Sequence, residues 1–274
     1  MKIKYNIINL FEDKILALIG FFIFIIYIVL ALIGPLFVND PFSTNTAESL
    51  LSPSIDHIMG TDKFGRDIFS RSIHSARLDI FLGVTISLFA LIIGSLIGVI
   101  AGYYGGFIDE IIMRINDVIL AFPGFILALI LVAVLGNSTL NVVIAVTIAF
   151  IPYFIRLTRA QALTEKEKEY VDGAILSGNP PWRVALIHVL PNSLKPSLVT
   201  ATLVAGWAIL TVSGLAFLGV GIKPPTAEWG VMVSEGARDI DSGHWWTSLF
   251  PGAMIVLSVM SLHFIGDEFG GEEI

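Results

Sequence analysis

The sequence predicts an all-α membrane protein that crosses the bilayer six times. Of its 274 residues, 55% are hydrophobic and only 14% are charged, and the mean hydropathy is +0.84. A soluble domain has about a quarter charged residues, and the apolar runs of this chain are long enough to cross a bilayer as helices. The predicted spans are Ile15–Val38, Ile80–Tyr103, Ile111–Leu135, Leu140–Ile155, Leu198–Val220 and Leu249–Ile265.

We expect the first span to be retained, because its apolar run is longer than a signal-peptide core and has no cleavage site of small residues. Basic residues favour the cytoplasm. With the N-terminus inside, ten lysines and arginines lie inside and six outside, and four of those six fall between Lys63 and Arg77. We therefore predict a multi-pass protein of the cytoplasmic (inner) membrane with both termini cytoplasmic.

Composition excludes several classes of function. The net charge is −7 and there is no cysteine, so we expect no nucleic-acid partner and no disulfide or thiolate chemistry. The histidines lack metal-ligand spacing, and no nucleophile elbow or phosphate-binding loop occurs. We expect no catalytic residue, no metal, no cofactor and no ATP hydrolysis by this chain alone. A stand-alone secondary transporter is the weaker alternative, because few ionisable residues lie within the spans.

Three segments outside the spans are long enough to matter: Asn39–Asp79 outside, Arg156–Pro196 inside and Gly221–Ser248 outside. We divide the chain into an N-terminal span with its outer segment, residues 1–79, and a membrane core, residues 80–274. The cytoplasmic loop 156–196 belongs to the core. Membrane lipid is the expected surrounding of every span.

The cytoplasmic loop predicts a helix, a sharp bend and a second short helix. Ala160–Tyr170 is rich in charged helix formers, and Trp182–Leu190 is apolar and helix-capable. Between them, Gly178-Asn179-Pro180-Pro181 must interrupt any helix, because proline lacks an N–H donor and disfavours helix in the preceding residue. This pattern is typical of a knob that projects from the membrane.

Four side chains give this knob the character of a contact surface. Gly173 and Ala174 are small and let another backbone approach closely, while Glu169 and Asp172 can pair with basic groups of a partner. From the residues alone, an ordinary solvated loop without a partner remains the alternative to such a contact surface.

The outer segment contains a cluster of opposite charges. Asp62, Arg66, Asp67 and Arg71 can cross-pair, with Asp67 and Arg71 spaced i,i+4 on a helix, and the glycines at Gly60 and Gly65 allow turns. Two interpretations remain open, a folded cap that contacts a binding protein and an internal brace of the outer loop.

Small and aromatic residues predict packing and anchoring. Gly94, Gly98 and Gly102 form a smooth stripe on one face of the second span, which we assign to packing within the chain, with contact to a second membrane subunit as the alternative. Interfacial anchoring is the interpretation that we favour for tryptophans such as Trp229 and Trp246 in the third loop.

The knob resembles the EAA loop of ABC-transporter permeases, in the form used by the dipeptide/oligopeptide/nickel branch. Asp172-Gly173-Ala174, Gly178 and Leu190-Pro191 keep the spacing of that motif, with Asp for Glu and Gly for the first Ala. The resemblance extends to Gly60–Arg71, which matches the branch signature G-T-D-x-x-G-R-D-x-x-S-R, and to Ala216–Gly230. The tail Glu268–Ile274 departs from the usual ending.

The resemblance implies the second (C-type) permease subunit of a type I ABC importer. It implies a second homologous permease, two cytoplasmic ATPases and an extracytoplasmic substrate-binding protein as partners. Its substrates would be dipeptides or oligopeptides, with nickel or a metal chelate as the alternative. In this scheme Glu169 and Asp172 contact the ATPase, Gly173 and Ala174 permit close packing, and Gly178 forms the bend.

Overall fold

The computed structural model shows an all-helical membrane protein, which confirms the predicted fold class. It describes residues 2–271, with side chains from Ile15 to Glu268, and no strand forms among them. The side chains of the N-terminal lysines and the tail beyond Glu268 lie outside the described residues. The α-helices are α1 (Lys2–Leu32), α2 (Ile68–Tyr104), α3 (Gly106–Leu120), α4 (Gly124–Leu135), α5 (Thr139–Glu165), α6 (Glu169–Leu176), α7 (Pro181–Arg183), α8 (Leu190–Ser193), α9 (Lys195–Phe217), α10 (Trp229–Gly236) and α11 (Trp246–Gly271).

The third predicted span is not one straight helix. Within the described residues, five helices are long and apolar enough to cross a membrane, and α3 and α4, which meet at 88°, supply a sixth span only if they count together. The expected helix Ile111–Leu135 breaks at Pro123, whose ψ of 125° is extended. Proline lacks the N–H donor and disfavours helix in Phe122, so the chain turns there.

Other helix ends differ from the sequence prediction. Helix α2 begins at Ile68, twelve residues before the predicted span, because the Asp67 side chain accepts the Ser70 N–H and caps it. Helix α5 does not end at Ile155, as the predicted span does, but contains Pro152 and continues to Glu165. Proline is tolerated inside membrane helices because neighbouring helices and local adjustments satisfy the freed backbone group.

Helix α2 lies at the centre of the packing. It contacts α5 and α9, while α1 packs against α11, and the short α10 contacts α9, α11 and α2. Because α2 runs without interruption across residue 79, the structure has no break at the predicted boundary between residues 1–79 and 80–274.

The glycine stripe of α2 faces α5. A methyl group added at Gly94, Gly98 or Gly102 would come within 2.6 to 2.7 Å of atoms of α5. The absence of side chains therefore lets the two helices approach within the chain, as the favoured interpretation of this stripe requires. The alternative, contact of the same stripe with a second subunit, is incompatible with this position.

Candidate functional site

The segment between α5 and α9 folds into a compact knob, residues Glu169–Asn192. Helix α6 forms its first arm, and the second arm runs from α7 through a π-helical stretch, Val184–Val189, into α8. Leu190 donates its N–H to the Ala185 carbonyl five residues back, so the helix widens just before Pro191, whose ring would clash with an ordinary helical turn. The knob packs on α2 and α5 through a shared apolar cluster, which is made of Val99, Ala162, Val171, Ala174, Val184 and Val189 with Leu190 against it.

Gly178 ends α6 in a left-handed conformation. Its φ is +80°, its N–H donates to the Ile175 carbonyl over 2.9 Å, and the N–H of Asn179 donates to the Ala174 carbonyl over 3.3 Å. These two bonds form a Schellman motif, in which glycine is favoured because it has no Cβ. The chain then reverses into Pro180, so the predicted bend has a defined backbone geometry.

A hydrogen-bonded group fixes α6 to the end of α5. The Tyr170 hydroxyl donates to Glu165 Oε2 over 2.8 Å, and the Lys168 ammonium donates to Glu165 Oε1 over 2.6 Å. Burial, together with the bond to Glu165, raises the pKa of Tyr170 to about 12. The phenol therefore stays protonated at neutral pH and keeps donating to Glu165, which links the beginning of α6 to the end of α5.

The predicted contact residues lie mostly on the surface of the knob. Glu169, Asp172 and Gly173 are exposed, whereas Ala174 is buried in the apolar cluster. Neither acidic residue forms an ion pair with the part of the chain that the structure describes. Both stand in the first turn of α6, where the helix dipole favours negative charge, and they remain available to a basic partner.

Sequence reasoning missed the apolar surface of the knob. Five large apolar side chains of its two arms are exposed, although the charged residues around them place the knob in water. These are Ile175 at 50%, Leu176 at 87%, Trp182 at 58%, Leu186 at 36% and Ile187 at 52%. Exposed apolar groups gathered on one small element are typical of a protein contact surface.

The outer segment folds back as a brace on α10. Asp62 Oδ1 accepts the N–H groups of Phe64 and Arg66, and the Arg66 guanidinium bonds Asp62 and, over 2.8 Å, Glu235. Arg71 also lies 3.6 Å from Glu235. Arg66 and Arg71 are only 3% and 1% exposed, so the arginines hold this segment from inside.

The predicted i,i+4 pair between Asp67 and Arg71 does not form. Asp67 instead caps α2 and contacts His57 Nδ1 over 2.9 Å. Gly60 and Gly65 both lie in turns and have a positive φ. A Cβ at Gly65 would lie 1.7 Å from the Asn45 carbonyl oxygen. A Cβ at Gly60 would meet the Leu51 carbonyl oxygen at 2.6 Å.

The expectation of interfacial anchoring is wrong for two tryptophans. Trp229 is fully buried and packs edge-on against Tyr27, and its Nε1 donates to the Ser72 carbonyl. Trp246 is 7% exposed, and its Nε1 donates to the Thr61 carbonyl. The Trp229 indole joins α10 to α2, and the Trp246 indole joins α11 to the outer segment, because each N–H has a carbonyl partner inside the protein.

A groove of about 340 Å³ opens between α4, α5 and α9. Tyr153 and Trp207 on its wall are 43% and 38% exposed. Trp207 lies twelve residues into α9, about 18 Å along the helix axis at 1.5 Å per residue. This places an exposed indole near the middle of α9, a helix long and apolar enough to cross a membrane. The remaining lining residues are Gly124, Phe125, Ala149, Phe150, Leu210 and Thr211.

Comparison with known proteins gives consistent relatives. A dipeptide transport system permease protein DppC of Alkalihalophilus pseudofirmus is 44% identical over 92% of this chain and 83% of the relative. A probable D,D-dipeptide transport system permease protein DdpC of Escherichia coli is 39% identical over 89% of this chain and 82% of the relative. The dipeptide transport system permease protein DppC of Bacillus subtilis is 38% identical over 92% of this chain and 79% of the relative.

The family comparison covers the membrane core. The family described as binding-protein-dependent transport system inner membrane component matches residues 94–269, more than half of the chain. The match includes the knob, the groove and α10. This chain therefore belongs to the family of binding-protein-dependent transport system inner membrane components.

Proposed function

We propose that this chain is a permease subunit of an ATP-driven ABC importer that carries dipeptides or oligopeptides. The observation that carries the proposal is the 44% identity, over 92% of the chain, to a protein named as a dipeptide transport permease. The complete importer contains a second homologous permease, two cytoplasmic ATPases and an extracytoplasmic binding protein that delivers the substrate. ATP is hydrolysed by the separate ATPases.

The knob transmits the motion of an ATPase to the spans. Its exposed apolar side chains and the carboxylates of Glu169 and Asp172 suit a groove on a soluble partner. Burial of the apolar side chains would provide the affinity, and the two carboxylates would fix the position of the knob in the groove. The bond of Tyr170 to Glu165 passes displacement of α6 into α5. When ATP closes the ATPase dimer, the spans rearrange and open the pathway outward, and hydrolysis resets them.

The groove beside Trp207 forms part of the pathway wall. Tryptophan and tyrosine prefer the interfaces of a bilayer to its centre, and polar groups at mid-depth face a protein interior or a water-filled cavity rather than lipid. The exposed Tyr153 and Trp207 and the half-buried Thr211 therefore suit a surface that a second permease closes over a passing peptide.

The helix packing supports a cytoplasmic position for both termini. A Cβ at Gly20 of α1 would contact Phe264 of α11, and one at Gly266 would contact Thr202, near the beginning of α9. Helix α9 starts beside the knob, so the terminal ends of α1 and α11 lie on the side of the knob. The proposed contact of the knob with cytoplasmic ATPases requires this side to be the cytoplasmic one.

Purification and uptake test the proposal. The tagged chain is isolated from its own cells in mild detergent, and we expect an ATPase and a second permease to co-purify. An isolated chain without an ATPase would support the stand-alone transporter. In a deletion strain, we expect loss of labelled dipeptide uptake with nickel uptake unchanged, and the reverse result would assign the importer to nickel.

Two substitutions test the pathway wall separately. Trp207→Ala and Tyr153→Ala should lower peptide uptake severalfold without changing the amount of assembled complex. Trp245→Ala serves as the matched control, because this indole is 49% exposed but lies outside the groove. Equal uptake in all three variants would remove the groove from the pathway.

A further inference from the structure

Two carboxyl groups meet inside the protein where α10 begins. Asp79 of α2 and Glu228, the residue that caps α10, are 1% and 0% exposed. Asp79 Oδ2 accepts the Trp229 N–H over 3.0 Å, and Glu228 Oε2 accepts the Val231 N–H over 2.7 Å. The other oxygen of each carboxyl, Asp79 Oδ1 and Glu228 Oε1, is buried without a hydrogen-bond partner in the described chain.

The two side chains lie close together, because Asp79 accepts the N–H of Trp229, the residue that directly follows Glu228, and both carboxyls are buried there. If both were ionised, neither carboxylate could donate a proton to the other, and the buried Ser213 hydroxyl could donate to Glu228 but would leave Asp79 Oδ1 without a donor. Two carboxyls that share a buried site do not both ionise, since like charges at this distance repel strongly in a medium of low dielectric constant.

No described cation neutralises the pair. Arg66 and Arg71 approach α10 but bind Glu235, seven residues and about 10 Å further along the helix. The remaining ionisable groups of α2 near the site are His74, whose Nδ1 contacts the Ser70 carbonyl, and the exposed Arg77.

The other helices around α10 bring no closer charge. The described charged groups of α9 and α11, which are Lys195, Asp267 and Glu268, and the imidazole of His263 lie toward the opposite ends of their helices. Tyr27 of α1 donates its hydroxyl to the Met254 carbonyl. Burial raises the pKa of Glu228, and hydrogen bonds from the N–H groups of Val231 and Gly230 and from the side chains of Ser213 and Asp79 offset only part of this effect.

We propose that Asp79 and Glu228 bind one proton between Asp79 Oδ1 and Glu228 Oε1. The proton converts two opposed acceptors into a donor and an acceptor, and the resulting O–H···O bond fastens the start of α10 to α2. The site holds a proton in place, since the described chain provides no relay of ionisable groups through the bilayer that would move it.

The shared proton makes the brace of the outer segment dependent on pH. Helix α10 carries Glu235, which binds Arg66 and Arg71, so its position sets the position of the outer segment. Burial raises the pKa of Glu228, so the folded form binds this proton more tightly than the unfolded chain does. Its stabilising effect is therefore present at low pH and is lost as the pH rises through the pKa of the folded pair.

Infrared spectroscopy of the full-length chain in lipid detects the proton directly. We expect a carbonyl band of a protonated carboxylic acid at neutral pH, where exposed carboxyls are ionised, and we expect Asp79→Asn and Glu228→Gln each to abolish it. Glu110→Gln, at an exposed carboxylate, is the control that keeps the band. Absence of the band in the unmodified chain, or its persistence in both variants, would overturn the proposal.

Thermal unfolding as a function of pH provides the second readout. Asparagine at position 79 supplies an amide donor in place of the proton, so Asp79→Asn should fold and lose the decline of Tm with rising pH. In the double variant with Glu228→Gln, both amide oxygens accept the N–H groups of Trp229 and Val231, so the two NH2 groups face each other. Two facing donors should make this variant less stable than either single variant. An unchanged pH dependence in Asp79→Asn, or a Tm that depends on the choice of sodium or potassium instead, would contradict a shared proton.

Discussion

The main-chain N–H of Asn179 donates to the main-chain carbonyl of Ala174 over 3.3 Å and closes the end of α6. The amide side chain of Asn179 donates to the same carbonyl over 2.9 Å. This arrangement depends on Gly178 between them, whose φ of +80° is strained for other residues. The direction of the second arm of the knob therefore depends on one glycine.

Gly178→Val should uncouple ATP hydrolysis from uptake while the chain still inserts into the membrane. A Cβ at this position meets no atom within 4 Å, so the cost of about 1–2 kcal/mol comes from the left-handed backbone conformation alone. Gly178→Asn is the control, because asparagine tolerates this conformation. Immunoblots of membranes, ATPase assays and peptide uptake measure the result. Normal coupled uptake in the valine variant would remove the bend from the coupling mechanism.

Gly173→Leu should impair coupling without lowering the stability of the isolated chain. Nothing within the chain lies within 4 Å of a Cβ at Gly173, and replacing glycine inside a helix gains up to about 1 kcal/mol. Any loss must then come from a partner that approaches this backbone. We expect a graded fall in uptake from Gly173→Ala to Gly173→Leu at an unchanged or higher Tm. Equal uptake in both variants would show that no partner packs against this position.

Hydropathy and chain-breaking residues predicted much of the fold and of the knob. The charged helix formers and Gly178-Asn179-Pro180-Pro181 specify two arms and a bend through local effects that any structure must respect. The same reasoning missed the break of the third span at Pro123, because composition treats Ile111–Leu135 as one apolar run.

Long-range contacts could not be predicted. The burial of Trp229 depends on Tyr27 and on Asp79, which is 150 residues away in the chain, and a tryptophan next to an apolar run looks the same at an interface as in a core. Asp79 carried one local signal, since it is an acidic residue at the edge of an apolar span. Its pairing with Glu228 becomes visible only when α2 and α10 are placed together.

Glu235→Ala should destabilise the outer half of the protein by about 3–5 kcal/mol, the usual cost of removing one partner from a buried ion pair. Arg66 and Arg71, both nearly inaccessible to solvent, would lose one of the two carboxylates that they share and keep only Asp62. Glu110→Ala is the matched control. Its pair with Arg114 is 3.5 Å long and exposed, and such pairs contribute less than about 1 kcal/mol. Thermal unfolding of both variants in one detergent compares them, and equal losses would show that the outer brace is not structural.

Gly98→Ala should destabilise the chain although alanine is the better helix former. Its Cβ would lie 2.7 Å from the Ile155 carbonyl oxygen, and because this atom belongs to the backbone of α5, a whole helix must shift. Overpacking of this kind costs about 1–3 kcal/mol. Gly252→Ala in α11 is the control, since the nearest atom is a Val233 methyl at 4.0 Å and the gain in helix propensity is about 1 kcal/mol. Denaturant unfolding should give opposite signs for the two substitutions. A Gly98→Ala variant as stable as the unmodified chain would mean that α2 and α5 are not held together by this close approach.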